Sequence, residues 1–239
     1  DIVSTTNGNV TISNSGGTGA DIFINGAAGG VAADTVNDTV AISSSGAIDD
    51  FVGNVETVTD VTAFTIDLDA VEGIGSTADV DLAGTVISAG TTNGNIALSN
   101  AATTAVTVTT LTTGTGNIDF SQTGNQDLVL TTVTTTDGNV TINNVGGTDA
   151  DTTIGTVTAD TTDDTVTINT DGALIGTGPV TAKNLALSSL EAGASIGTSG
   201  SHFGTSVNGA FNLTTSSGDI FLTDTNALNS SQFTLNTGA

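Results

Sequence analysis

The sequence predicts an all-β fold, and within that class a parallel β-helix with coils of about 20–22 residues. Three observations predict it. Apolar residues recur in i, i+2 pairs separated by polar residues. Residues 106–120, VTVTTLTTGTGNIDF, return as 128–142, LVLTTVTTTDGNVTI, at a shift of 22. A Gly-Asn or Gly-Asp dipeptide opens each unit once.

The pairs between 96 and 142 are Ile96/Leu98, Val106/Val108, Ile118/Phe120, Leu128/Leu130 and Val140/Ile142. Alternation of this kind places the apolar members on one face of a strand, and two short strands fit each unit. Looser pairs continue it at Ile22/Ile24, Val40/Ile42, Phe64/Ile66, Val80/Leu82, Val166/Ile168, Leu185/Leu187, Phe211/Leu213 and Phe233/Leu235. The turn dipeptides Gly8-Asn9, Gly116-Asn117, Gly138-Asn139 and Gly218-Asp219 precede strands, where glycine supplies positive φ. Antiparallel hairpins would need an Asn-Gly or Asp-Gly loop for every strand pair. Asn7-Gly8, Asn93-Gly94 and Asp137-Gly138 come once per unit instead, which favours coils. Pro179 has no N–H for a ladder and is placed at a corner or at the start of a strand.

A longer duplication overlies the short one. GNVTISNSGGTGAD (8–21) matches GNVTINNVGGTDAD (138–151), and DTVAISSSGAI (38–48) matches DTVTINTDGAL (164–174). Roughly residues 1–100 are echoed by 138–222, so 1–239 reads as one solenoid segment of a repeat array. About eleven coils at about 4.8 Å would make a rod of roughly 50 Å. Threonine suits such a wall, since it is β-branched and offers water a hydroxyl. A lone coil cannot offset its own ordering entropy and depends on its neighbours.

Composition excludes several functions. The chain has 25 acidic residues, one basic residue (Lys183), one histidine (His202) and a net charge of −24. Without a basic patch, binding to nucleic acid or to an anionic membrane surface is not expected. No apolar run approaches the roughly 18 residues of a membrane helix, so no membrane insertion is expected. There is no cysteine, hence no disulfide or thiol chemistry. The acidic surface suits a salty or extracellular setting, where counter-ions screen self-repulsion. No signal peptide or initiator methionine is visible, and the chain reads as a mature fragment or a slice of something longer.

The pattern G-[ND]-[IV]-x-[LIFV], followed by turns rich in Thr, Ser, Ala and Gly, resembles the repeats of filamentous-haemagglutinin-like exoproteins. These are large bacterial proteins exported by two-partner secretion or autotransporter-type routes. TNGNIALSNAATTAV (92–106) and SSGDIFLTDTNAL (216–228) resemble them most, and the resemblance covers most of the chain. It implies a right-handed parallel β-helix acting as a surface stalk or adhesin. The family's N-terminal secretion domain, with its Asn-Pro-Asn-Gly-type motif, is not in this chain, and no functional residue is carried over.

Several residues have the spacing of binding or catalytic sites. GGTGADIFI (16–24) fits the nonapeptide of calcium-binding β-rolls once, making Gly16, Gly17, Gly19 and Asp21 a candidate calcium turn beside the plainer reading of a Gly-rich corner. Asp49-Asp50, Asp163-Asp164 and Asp67 with Asp69 offer oxygen ligands for hard cations, beside the plainer reading of solvated turns. Asp67/Asp69 and Asp79/Asp81 have the i, i+2 spacing of an acid–base pair, as in polysaccharide-active β-helices. With no Arg, Tyr or Trp to hold an acidic sugar or stack on a ring, and no Gly-x-Ser-x-Gly, catalysis is not expected. His202, beside Phe203, reads as a loop residue. The Thr-x-Thr triplets (Thr107/Thr109, Thr132/Thr134, Thr156/Thr158, Thr165/Thr167) change phase, which argues against the flat array that ice binding needs. Asn9, Asn37, Asn139, Asn212 and Asn229 open N-x-[ST] sequons. The expected function is structural and adhesive, in an extracellular fibre or cell-surface adhesin that self-associates or meets a host surface or glycan. A calcium- or glycan-binding module is the alternative, and a polysaccharide-active enzyme the third.

Overall fold

Alternating apolar residues can bury their shared face only if another wall closes over it. In the computed structural model, which describes residues 2–51 and 58–238, the chain does this by coiling. The protein is all-β, with 55% of its residues in strands, and forms a β-solenoid of about 10 turns. Among the described residues every pairing between named strands is parallel. Among the described residues no helix is long and apolar enough to cross a membrane.

Equivalent residues stack coil on coil. One inward ladder runs Ile22, Ile48, Ile74, Ile96, Ile118, Val140, Val166, Leu185, Phe211 and Phe233. Its last two rings stack at 4.8 Å. A second wall stacks Ile12, Ile42, Leu68, Ala89, Leu111, Val133, Val157 and Val180. A third stacks Val106, Leu128, Thr152, Leu174, Ile196 and Ile220. These ladders meet in a single continuous core of Val, Ile, Leu and Ala, with Phe120, Phe203 and Phe211 the largest buried side chains.

The spacing of 22 residues holds from Ile74 through Ile96 and Ile118 to Val140. Elsewhere a coil on this ladder takes 26 residues, as from Ile22 to Ile48, or 19, as from Val166 to Leu185. Strand register is fixed by the buried face, so differences in length collect in the turns, where each added residue costs little.

The two copies of the long duplication lie on different walls. Val10 and Ile12 belong to the ladder that continues through Ile66 and Leu68, whereas Val140 and Ile142 stand on Ile118 and Phe120. What repeats is the corner itself. The Nδ2 of Asn14 donates to the carbonyls of Ala20 (3.0 Å) and Asp21 (3.3 Å), and the Nδ2 of Asn144 does the same with Ala150 (3.3 Å) and Asp151 (3.2 Å).

Candidate functional site

Polar side chains bonded inside the rod are not free for a ligand. From Ile96 to Phe211 on the first ladder, the inward position past each apolar pair is polar: Asn100, Gln122, Asn144, Thr170, Ser189 and Thr215 stack in register and are fully buried. Asn100 is bonded in both directions to Gly84, accepting its N–H at 2.9 Å and donating to its carbonyl at 3.1 Å, and it donates to Gln122 Oε1 at 2.6 Å. The Oδ1 of Asn144 is buried with no hydrogen-bond partner among the described residues. On the second wall, the hydroxyls of Thr113 and Thr135 donate to the carbonyls of Gly94 and Gly116 at 2.9 and 3.0 Å. Threonine is therefore partly an outer-wall residue, as the pattern suggests, and partly a buried donor at the corners. Continued alternation in Ile118-Asp119-Phe120-Ser121-Gln122 is the signal for this column, but reading apolar pairs alone passes over it.

The Gly-Asn dipeptides join coils. Asn95, Asn117 and Asn139 each accept, at Oδ1, the backbone N–H of the equivalent residue one coil on (Asn117, Asn139 and Thr165) at 2.8–2.9 Å. Asn9 and Asn139, two of the sequon asparagines, are used in this way.

The candidate calcium turn is such a junction. Asp21 Oδ1 accepts the N–H of Ala47 at 2.8 Å, and its duplicate Asp151 accepts that of Ala173 at 2.7 Å. Gly16, Gly17 and Gly19 direct N–H groups at Asn14 Oδ1, Ser45 Oγ and Glu72 Oε1. Gly17 and Gly19 have positive φ, as the turn reading requires. Asp49 and Asp50 are not solvated turns: both are buried within the strand Ala47–Asp50, and Asp49 accepts from Ser76 N at 2.6 Å and Ser76 Oγ at 3.1 Å. Among the described residues, three carboxylates that could share a cation are Asp160, Asp163 and Asp164, with ligand atoms within 4.8 Å of one another. Asp164 already accepts the N–H of Gly138 at 2.8 Å.

Asp67 and Asp69 stay neighbours on one face: burial pushes the Asp69 carboxyl up, and the charge of Asp67 adds to that push. Asp67 is bonded to the Ser88 hydroxyl. Asp79 faces Asp119 across coils; burial pushes both carboxyls up, and for Asp119 the charge of Asp79 adds to it. Asp81 pairs with Asp60 through the backbone, its N–H reaching Asp60 Oδ2 at 3.1 Å. Burial pushes the Asp60 carboxyl up to about 7, with a further push from Asp50 and Asp81, against the hydrogen bonds from Asp81 and Gly26 that lower it. His202 is exposed, bonded to Thr223 Oγ1 at 3.0 Å and stacked on Phe221. The Thr triplets that change phase in sequence come partly into phase in space. Thr110/Thr112, Thr132/Thr134 and Thr156/Thr158 stack as a two-column array three coils deep, which Ser88 and Gly90 interrupt on one side.

One surface concavity collects polar groups that the core does not consume. It is an open groove of about 520 Å³ that runs along the axis. Its floor is a stacked column from five successive coils: Ser13, Ser43, Asp69, Gly90 and Thr112. Its far wall is formed by Ser15, Ser45, Val71 and Thr92 at the turns. Burial pushes the Asp69 carboxyl up, and the neighbouring Asp67 adds to this.

No family model, curated protein or solved structure matches the chain.

Proposed function

We propose that the chain is a structural and adhesive rod, a β-solenoid segment of an extracellular fibre or cell-surface adhesin. The observation that carries this reading is the unbroken ladder from Ile22 to Phe233, ten stacked positions in one register. Stacked coils make a wall with hydrogen bonds along its length, and length is gained by adding coils. The net charge of −24 keeps such a rod soluble. Val3 and Leu235, outer members of inward ladders, are exposed, and end-to-end association would cover them. The engagement of Asp67 by the Ser88 hydroxyl favours binding and support over catalysis. Electron microscopy of the native material at physiological salt tests the reading. Long unbranched fibres make the chain a fibre component, and short rods make it a stalk. Compact particles with no axial repeat would overturn both.

Calcium binding is the second reading, favoured by the proximity of Asp160, Asp163 and Asp164. It predicts a melting temperature that rises with calcium, and Asp163→Asn should remove the rise. Magnesium or sodium acting equally well would count against it.

A further inference from the structure

The groove over Asp69 has a feature that the fold does not require. Its floor column carries a side chain in every coil but one. At Gly90 the backbone is not in the left-handed region, and an added Cβ would meet only Asp69 Oδ1, at 3.0 Å. At Gly94, Gly116 and Gly138, in contrast, φ is positive and a Cβ would lie 1.8–2.5 Å from the backbone of the coil below. Those glycines are dictated by stacking. Gly90 is not, and in place of a side chain it has only the Asp69 carboxylate leaning over it.

The carboxylate is available. No hydrogen bond from a described residue reaches Asp69. The rest of the groove offers Ser and Thr hydroxyls, which both donate and accept. Val71, 41% exposed, supplies an apolar patch on the far wall. The floor repeats at about 4.8 Å per coil, close to the length of one pyranose unit, so an extended chain of sugars would meet one coil per ring. The charge selects the class of ligand. A chain with one basic residue and a net charge of −24 repels anionic glycans. A single carboxylate lining a groove of hydroxyls is a poor cation site but a good acceptor for a vicinal diol.

We propose that this groove binds a linear, uncharged glycan lying along the solenoid axis, with Asp69 accepting hydrogen bonds from sugar hydroxyls and the absent side chain at Gly90 letting the sugars approach that carboxylate. The proposal rests on the adhesive reading and gives it a site. No aromatic ring lines the groove, so binding is weak, about millimolar for a single oligosaccharide.

The test is an NMR titration of the whole chain with cellohexaose, xylohexaose and mannohexaose, with a galacturonate oligomer as the anionic control. Expected are shifts confined to residues 43–45, 69–71 and 90–92 with at least one neutral hexasaccharide, and none with the anionic oligomer. Gly90→Thr should weaken binding by about tenfold or more while leaving the melting temperature unchanged or higher, because threonine already occupies the next position in the column. Asp69→Asn should weaken binding while leaving the groove open. Binding unaffected by either substitution, binding elsewhere on the rod, or no response to any neutral hexasaccharide at millimolar concentration would each overturn the proposal. Electron microscopy of the same sample separates this failure from failure of the rod reading. Rods that bind no glycan leave the rod and remove the site, whereas glycan binding by a chain that forms no rods does the reverse.

Discussion

Asn100 occupies an inward position that the alternation would fill with an apolar side chain, stacked under Gln122 in the interior. Its amide satisfies both backbone groups of Gly84 and one oxygen of Gln122. Asn100→Ala strands all three in a dry interior, where each unmet group costs about 1–3 kcal/mol. A loss of about 3–5 kcal/mol is expected, lowering the melting temperature by roughly 10 °C for a chain of this size. Thermal melts followed by circular dichroism would show it, with the outward Thr112→Val as a control that should change little. Asp60 sets a dependence on pH. Its folded pKa of about 7 lies above the ordinary carboxyl value of 3.8, so between those values the folded state holds a proton that the unfolded state has released. Stability contributed by the protonated carboxyl is present below about pH 4 and is lost as pH rises through 7. A tenfold change in proton affinity corresponds to about 1.4 kcal/mol, and partial solvent screening reduces the effect. The chain should therefore be more stable at pH 5 than at pH 8 by about 1–2 kcal/mol, and Asp60→Asn should flatten that slope. Denaturant midpoints at the two pH values measure it, and an unchanged slope in the variant would assign the effect elsewhere. Neither residue stands out in the sequence. Asn100 ends the alternation that Ile96 and Leu98 begin, and Asp60 differs from the other aspartates only through coils that come from far along the chain.

Strands and corners were legible to different degrees. The i, i+2 pairs located the strands because burial on one face leaves a period of two. The corners are a second, local code. Asn14 with Asp21 and Asn144 with Asp151 build the same bonds on different walls, since a corner needs only its own residues and one neighbouring coil. The duplication was therefore readable as sequence, but its displacement by one wall was not, because that depends on the summed lengths of all intervening turns. The same distinction separates two kinds of glycine. Gly116 has φ +140 and faces the Gly94 carbonyl, 2.5 Å from where its Cβ would lie. Gly116→Ala forces adjacent coils apart and should destabilise by about 2 kcal/mol or more. Gly90→Ala, in a strand where only the flexible Asp69 carboxylate, at 3.0 Å, has to move aside, should be neutral or stabilising by a few tenths of a kcal/mol. Paired urea melts of the two variants test the assignment, and equal effects would contradict it.

At the scale of the whole molecule, parallel stacking turns a composition into a field. Coils in register bring like charges from distant parts of the chain together, as with Asp79 and Asp119, and sequence neighbours such as Asp67 and Asp69 share a face. With 25 acidic residues against one basic residue, almost every long-range charge interaction is repulsive. The unfolded chain spreads these charges apart, so repulsion weighs on the folded rod more than on the unfolded chain. Screening shortens its reach from about 30 Å at 0.01 M salt to about 3 Å at 1 M. The melting temperature should therefore rise by several degrees between low and high sodium chloride, and choline chloride should match sodium at equal ionic strength, because screening ignores the chemistry of the cation. Calcium separates the two mechanisms. If its effect follows ionic strength alone, the acidic coat acts as a uniform field. If low-millimolar calcium raises the melting temperature beyond that line, and Asp163→Asn restores the line, the excess belongs to the cluster of Asp160, Asp163 and Asp164. A melting temperature that falls with added salt would mean that the folded rod already holds its charges in favourable contacts, and net repulsion would then not be what limits its stability.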